Sequence, residues 1–115
     1  EGTRYFKEKI TNKDKCVLIA LVDNQIVGYL VGEITKTEDY RSISQIAELE
    51  NKIILNKNRN FGIGTKLYEA FIKWCKIKGI KRIRVVASAQ NIKAINFYKK
   101  NNLLEYNVTL EGGVK

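Results

Sequence analysis

"NRNFGIGTKLYEAFIKWCKIKG", Asn58–Gly79, sets two glycines two residues apart between an arginine and a run with helical periodicity. Its apolar side chains fall at Leu67, Ala70, Phe71, Trp74 and Cys75, the i, i+3, i+4, i+7, i+8 spacing of a helix with one buried stripe. Glu69 and Lys73 make an i,i+4 pair on the wet face, and Gly79 supplies the stop. A helix entered through Gly62 and Gly64 presents unpaired amides in its first turn, an arrangement suited to holding an anion.

Working outward, "QIAELENKIIL" (Gln45–Leu55) reads as a strand leading into the glycine loop, Asn56–Gly64. If that strand stays regular, Glu48, Glu50 and Lys52 share one face and Ala47, Leu49 and Asn51 the other. Before it, "CVLIALV" (Cys16–Val22) is a buried β-branched run, Asp23–Gln25 is turn chemistry, and Ile26–Ile34 completes a hairpin. "EGTRYFKEKI" at the start reads as the tail of a helix. After the glycine helix, Lys81–Ser88 is a strand, and Asn91 caps a short helix from Ile92 to about Asn101. Asn102 suits the left-handed position that ends it, and Leu104, Tyr106, Val108 and Leu110 alternate as a last strand. The order is β-β-β-α-β-α-β, a mixed α+β sheet with a mostly antiparallel first half, in one domain spanning 1–115.

The bulk composition narrows the chemistry. The 115 residues contain no histidine, which excludes His-based triads and zinc sites, and no Cys-x-x-Cys metal spacing, so no metal is expected. Cys16 and Cys75 stand in apolar surroundings as buried thiols rather than a disulfide pair. No apolar run is long enough to span a bilayer and no signal peptide is visible, so no membrane association and a cytoplasmic location are expected. The net charge of +9 fits either an anionic partner or scattered solvated lysines. The chain has no methionine even at position 1, and a trimmed or partial chain is expected.

Three phosphate-binding loops compete for "NRNFGIG". A dinucleotide fingerprint needs a third glycine where Leu67 stands, and a Walker loop needs Gly-Lys-Ser/Thr, which is absent. Arg-x-x-Gly-x-Gly remains: Arg59, Gly62 and Gly64. With "NIKAINFY" (Asn91–Tyr98) at its distance downstream, the stretch from Glu48 to Tyr106 resembles the GNAT superfamily of acyl-CoA-dependent N-acetyltransferases. Asn102-Leu103 stands where relatives usually carry Gly-Phe.

The resemblance implies a splayed central strand pair, with the pantetheine arm of acetyl-CoA lying in the gap against the backbone of Ile53, Ile54 and Leu55. It implies that Arg59, Asn60, Phe61, Gly62, Ile63, Gly64 and Thr65 cradle the pyrophosphate, and that Asn91 and Tyr98 contact the cofactor. Tyr98 stands at the family's donor to the leaving thiolate. Glu50 stands where many relatives carry a base, with Glu48 beside it; a solvated carboxylate paired with Lys52 is the alternative. The family also begins with a strand and helices forming much of the acceptor site, of which only "RYFKEKI" is expected here. The activity implied is direct attack of an unidentified primary amine in a ternary complex. Two other functions stay open: a basic nucleic-acid-binding module using lysines and aromatics such as Tyr5, Tyr40 and Trp74, and a CoA-binding domain without catalysis. A homodimer through sheet edges is compatible with any of the three.

Overall fold

The computed structural model describes residues 14–36, 45–55 and 62–114, and the backbone of 4–12; the side chain of residue 51 is outside that description. Five strands and two helices follow in the order β1 (Arg4–Asn12), β2 (Lys15–Val22), β3 (Gln25–Lys36), β4 (Gln45–Ile54), α1 (Ile63–Ile77), β5 (Ile83–Val85) and α2 (Ile92–Lys100). The sheet runs β1-β2-β3-β4-β5. Its first three pairings are antiparallel and β4–β5 is parallel, as a crossover through a helix requires.

Each junction has a local cause. Asp23 and Asn24 both adopt positive φ, 52° and 65°, in a two-residue loop between Val22 and Gln25. That is the type I′ geometry whose twist matches a hairpin. Gly62 and Gly79, at φ 78° and 76°, bracket α1. Asn102, at φ 71°, takes the left-handed position that glycine otherwise fills.

The core lies between the sheet and α1. Cys16, Leu18 and Ala20 of β2, Leu30 of β3, and Ala47 and Leu49 of β4 meet Leu67, Phe71, Trp74 and Cys75 of α1. Gly32 lets α1 approach, because a Cβ there would intrude on the Phe71 ring. Both cysteines are free and buried, and burial pushes the Cys75 thiol up to about 11.

Two expected elements differ. Arg4–Asn12 is a strand, not the end of a helix: its backbone pairs with β2 from Arg4↔Val22 to Lys9↔Val17. Sheet pairing is non-local and overrides a short stretch's own periodicity. The alternating segment from Leu104 to Leu110 forms no strand, and Leu104 and Leu110 are 89% and 88% exposed. Alternation supplies a face but not a partner edge. The segment's start is held instead by a Leu103 N–H donated to the Tyr98 carbonyl (3.0 Å), a Lys99–Glu105 ion pair (3.0 Å), and the Arg82 guanidinium 5.7 Å from the Tyr106 ring.

Candidate active site

β4 and β5 part company. Ala47, Glu48 and Leu49 pair with Ile83, Arg84 and Val85, where β5 ends, but β4 continues to Ile54. Past Leu49, the β5 side of β4 has no strand partner among the described residues. At the far end of this gap α1 begins, and α2 closes it through Phe97 and Tyr98, which pack with Tyr68 of α1 at ring-centroid distances of 5.7 and 6.0 Å.

A bulge sets which side chains enter the gap. Val31 pairs with Asn51 but Gly32 pairs with Leu49, leaving Glu50 as the extra residue. One inserted residue reverses the facing of everything after it. The expected grouping of Lys52 with Glu48 and Glu50, conditional on a regular strand, therefore does not hold. Lys52 turns inward, its Nζ 3.2 Å from the Phe97 ring centroid and 5.0 Å from that of Tyr98. Burial lowers its pKa to about 8.

Backbone direction follows the same logic. The Leu55 N–H donates to the Val27 carbonyl at 2.9 Å, so Leu55 and, by alternation, Ile53 address β3. Lys52 and Ile54 turn their peptide groups toward the gap.

On the opposite face, Lys15, Glu33, Glu48 and Arg84 stand in register across four strands. Arg84 Nη2 bonds Glu48 Oε1 at 3.0 Å. Glu50 is exposed beside this row. A hydrogen bond that the protonated Glu50 carboxyl donates to Glu33, partial burial and the Glu33 charge push the Glu50 carboxyl above its ordinary value.

The start of α1 is bare. Gly62 is an N-cap without a side-chain hydrogen bond, and the first turn carries no acidic residue. Among the described residues, a Cβ on Gly62 would meet nothing within 4 Å, and one on Gly64 would lie 3.6 Å from Lys52 Nζ. Packing among the described residues does not demand glycine at 64, and the space it leaves lies at the helix N-terminus, where an anionic ligand is favoured. A diphosphate therefore fits these residues.

A profile of the Acetyltransferase (GNAT) family matches residues 1–102. The chain belongs to the GNAT acetyltransferase family. An N-alpha-acetyltransferase of Sulfurisphaera tokodaii is 28% identical over 111 residues, covering 90% of this chain and 65% of that protein. The uncharacterized protein YxbD of Bacillus subtilis is 37% identical over 78 residues, covering 68% of this chain and 43% of its own length. This chain thus spans less than two thirds of either relative. Among solved structures, aminoglycoside N-acetyltransferase AAC(6')-Iy in complex with CoA superposes with a TM-score of 0.79 at 18% identity, over 91% of this chain and 70% of that one. A tetramutant of the BH1408 protein from Bacillus halodurans gives 0.79 at 20% identity, over 90% and 69%. At such identities the likeness is one of fold.

Within this GNAT chain the expected site residues divide. Gly62, Ile63, Gly64 and Thr65 form the entry and first turn of α1; Arg59, Asn60 and Phe61 lie outside the described residues. Ile54 addresses the gap through its backbone, whereas Ile53 and Leu55 address β3. Asn91 caps α2, its Oδ1 accepting the Ala94 N–H at 3.2 Å, which leaves its carboxamide nitrogen to donate elsewhere. Tyr98 is buried beside Tyr68, and burial raises its phenol to about 12. Lys52 was not a sequence candidate. Its signal lies in a bulge that residue types alone do not announce.

Of the aromatics offered for nucleic-acid stacking, Trp74 is buried in the core. The side chains of Tyr5 and Tyr40 lie outside the described residues. No helix among the described residues is long and apolar enough to cross a membrane, and no metal-binding cluster occurs among them.

Proposed function

We propose that this domain transfers the acetyl group of acetyl-CoA to a primary amine by direct attack in a ternary complex. The observation that carries the proposal is the gap beside the end of β4, with the bare start of α1 at one end and Tyr98 on its wall. The first turn of α1 binds the pyrophosphate, helped by Arg59, Asn60 and Phe61 in the loop before it. The peptide groups of Ile54 and Lys52 hold the pantetheine arm as an added strand, and the Lys52 N–H steadies negative charge on the thioester oxygen. Acetyl-CoA supplies the activated acyl group.

Glu50 takes the proton that an ammonium acceptor must lose before it attacks, through a water. Its raised affinity for protons favours it over Glu48, which Arg84 occupies. Tyr98 donates a hydrogen bond to the sulfur. A phenol at about 12 does not readily give its proton outright to an aliphatic thiolate near 8.5. Stabilisation of the departing sulfur, with its proton coming from solvent, is the more economical role. Cys75, in the core with its thiol raised to about 11, offers no nucleophile for a covalent route.

The acceptor meets the carboxylates of Glu33, Glu48 and Glu50, which suit a cationic amine. The experiment is acetyl-CoA turnover with peptides bearing free α-amines, free lysine, polyamines and aminoglycosides. Turnover with one class identifies the acceptor. Tight CoA binding without turnover by any member of the panel supports instead a binding domain without catalysis.

A further inference from the structure

The Lys52 side chain has no part in the mechanism above, yet it occupies the middle of the cleft. Its Nζ lies over the rings of Phe97 and Tyr98 and next to the open space above Gly64. Among the described residues no carboxylate forms an ion pair with it. The same residue turns its peptide N–H toward the gap, and its amine rests beside Tyr98, the group assigned to the leaving sulfur. A nucleophile on a flexible stem therefore lies inside the cleft that the reading above gives to acetyl-CoA, where attack on the bound thioester would be intramolecular rather than a bimolecular encounter.

Resting on the reading that this cleft binds acetyl-CoA, we propose that Lys52 is a self-acetylation site. The neutral Lys52 amine attacks the thioester carbonyl of acetyl-CoA bound to the same chain. A C–N bond forms and the C–S bond breaks. The amine gives up one proton and CoA departs as the thiol, so no further reagent is needed. Burial supports the chemistry: with a pKa of about 8, roughly a quarter of Lys52 is neutral at about pH 7.5, against roughly one part in a thousand for an unperturbed lysine. The product is an uncharged amide, which removes the cost of holding a partly desolvated charge.

The test incubates the chain with acetyl-CoA and no acceptor, follows intact mass with time, and maps the modified peptide. CoA binding is measured in parallel by calorimetry, and the amine panel is assayed separately. The expected result is one acetyl group per chain, on Lys52. Its rate should saturate with acetyl-CoA, be independent of protein concentration, and exceed that of exposed Lys73 and Lys76 by at least roughly tenfold, as an intramolecular reaction implies. Urea-unfolded chain should lose this preference, and Lys52→Arg should lose the early adduct. Equal labelling of Lys52, Lys73 and Lys76 would overturn the proposal. So would an unmodified Lys52 in a chain that binds CoA and acetylates a free amine, a result that leaves the proposed function standing. Failure of the folded chain to bind CoA would remove both. If Lys52→Met abolishes CoA binding while the wild-type residue takes no label, Lys52 is a cation for the cofactor and the proposal is wrong.

Discussion

Gly32 stands under the Phe71 ring, where a β-carbon would overlap the ring and lie 3.0–3.1 Å from two more of its atoms. Phe71 is fully buried and has nowhere to retreat. Gly32→Ala should therefore destabilise the fold by about 1–3 kcal/mol, seen as a lower urea midpoint with an unchanged m-value. Lys52 makes the opposite prediction. Its folded pKa of about 8 lies below its unfolded value near 10.5, so the unfolded chain binds the proton more readily across that window. Stability is then depressed below about pH 8 and recovers as pH rises toward 10.5. Lys52→Met should raise Tm at pH 7, and the gain should fade over the same window. At the acidic end, Glu33 is the main cause of the raised Glu50 pKa. Glu33→Gln should move the acid limb of the kcat profile to lower pH; an unmoved limb would exclude Glu50 as the base. Tyr98, Asn91 and Gly62 were conspicuous in the sequence because each is tied to the start or face of a helix. Lys52 was not, because its direction depends on one unpaired residue two positions earlier.

At the scale of elements, the two helices and the β2–β3 hairpin follow from local rules: a one-sided apolar stripe, a capping asparagine, and a two-residue turn of Asp23 and Asn24 in positive φ. The ends of the chain were misread for a shared reason. Arg4–Asn12 becomes a strand through its pairing with β2, and Leu104–Leu110 stays out of the sheet despite perfect alternation. Each outcome depends on an edge remote in sequence. α2 gives the sharpest test at this level. Asn91→Ala removes the acceptor for the Ala94 N–H and should cost about 1 kcal/mol. Because α2 carries Tyr98, kcat should fall with it. Asn91→Asp, which keeps the cap, should restore stability.

For the whole molecule, the gap between β4 and β5 is a product of topology: an antiparallel half followed by one short parallel pairing that stops at Val85. The glycine end of that gap was legible in the sequence, but the main-chain end carries no residue-type signature. Charge is distributed unevenly across it, with carboxylates on the face opposite α1 and a bare positive helix terminus at the glycine end. That arrangement matches an anionic donor entering from one side and a cationic acceptor from the other.

Titration of acetyl-CoA into the chain and into a Gly64→Glu variant tests this account most directly. The variant should fold, since a Cβ at 64 makes only ordinary contacts, with the Lys52 side chain, and a carboxylate in the first turn of α1 suits the helix dipole. The same carboxylate would repel a pyrophosphate. The account predicts binding on the order of micromolar, about 8 kcal/mol, for the wild-type chain and none for the folded variant. Equal affinity in both chains, or no binding by the folded wild type, would contradict it.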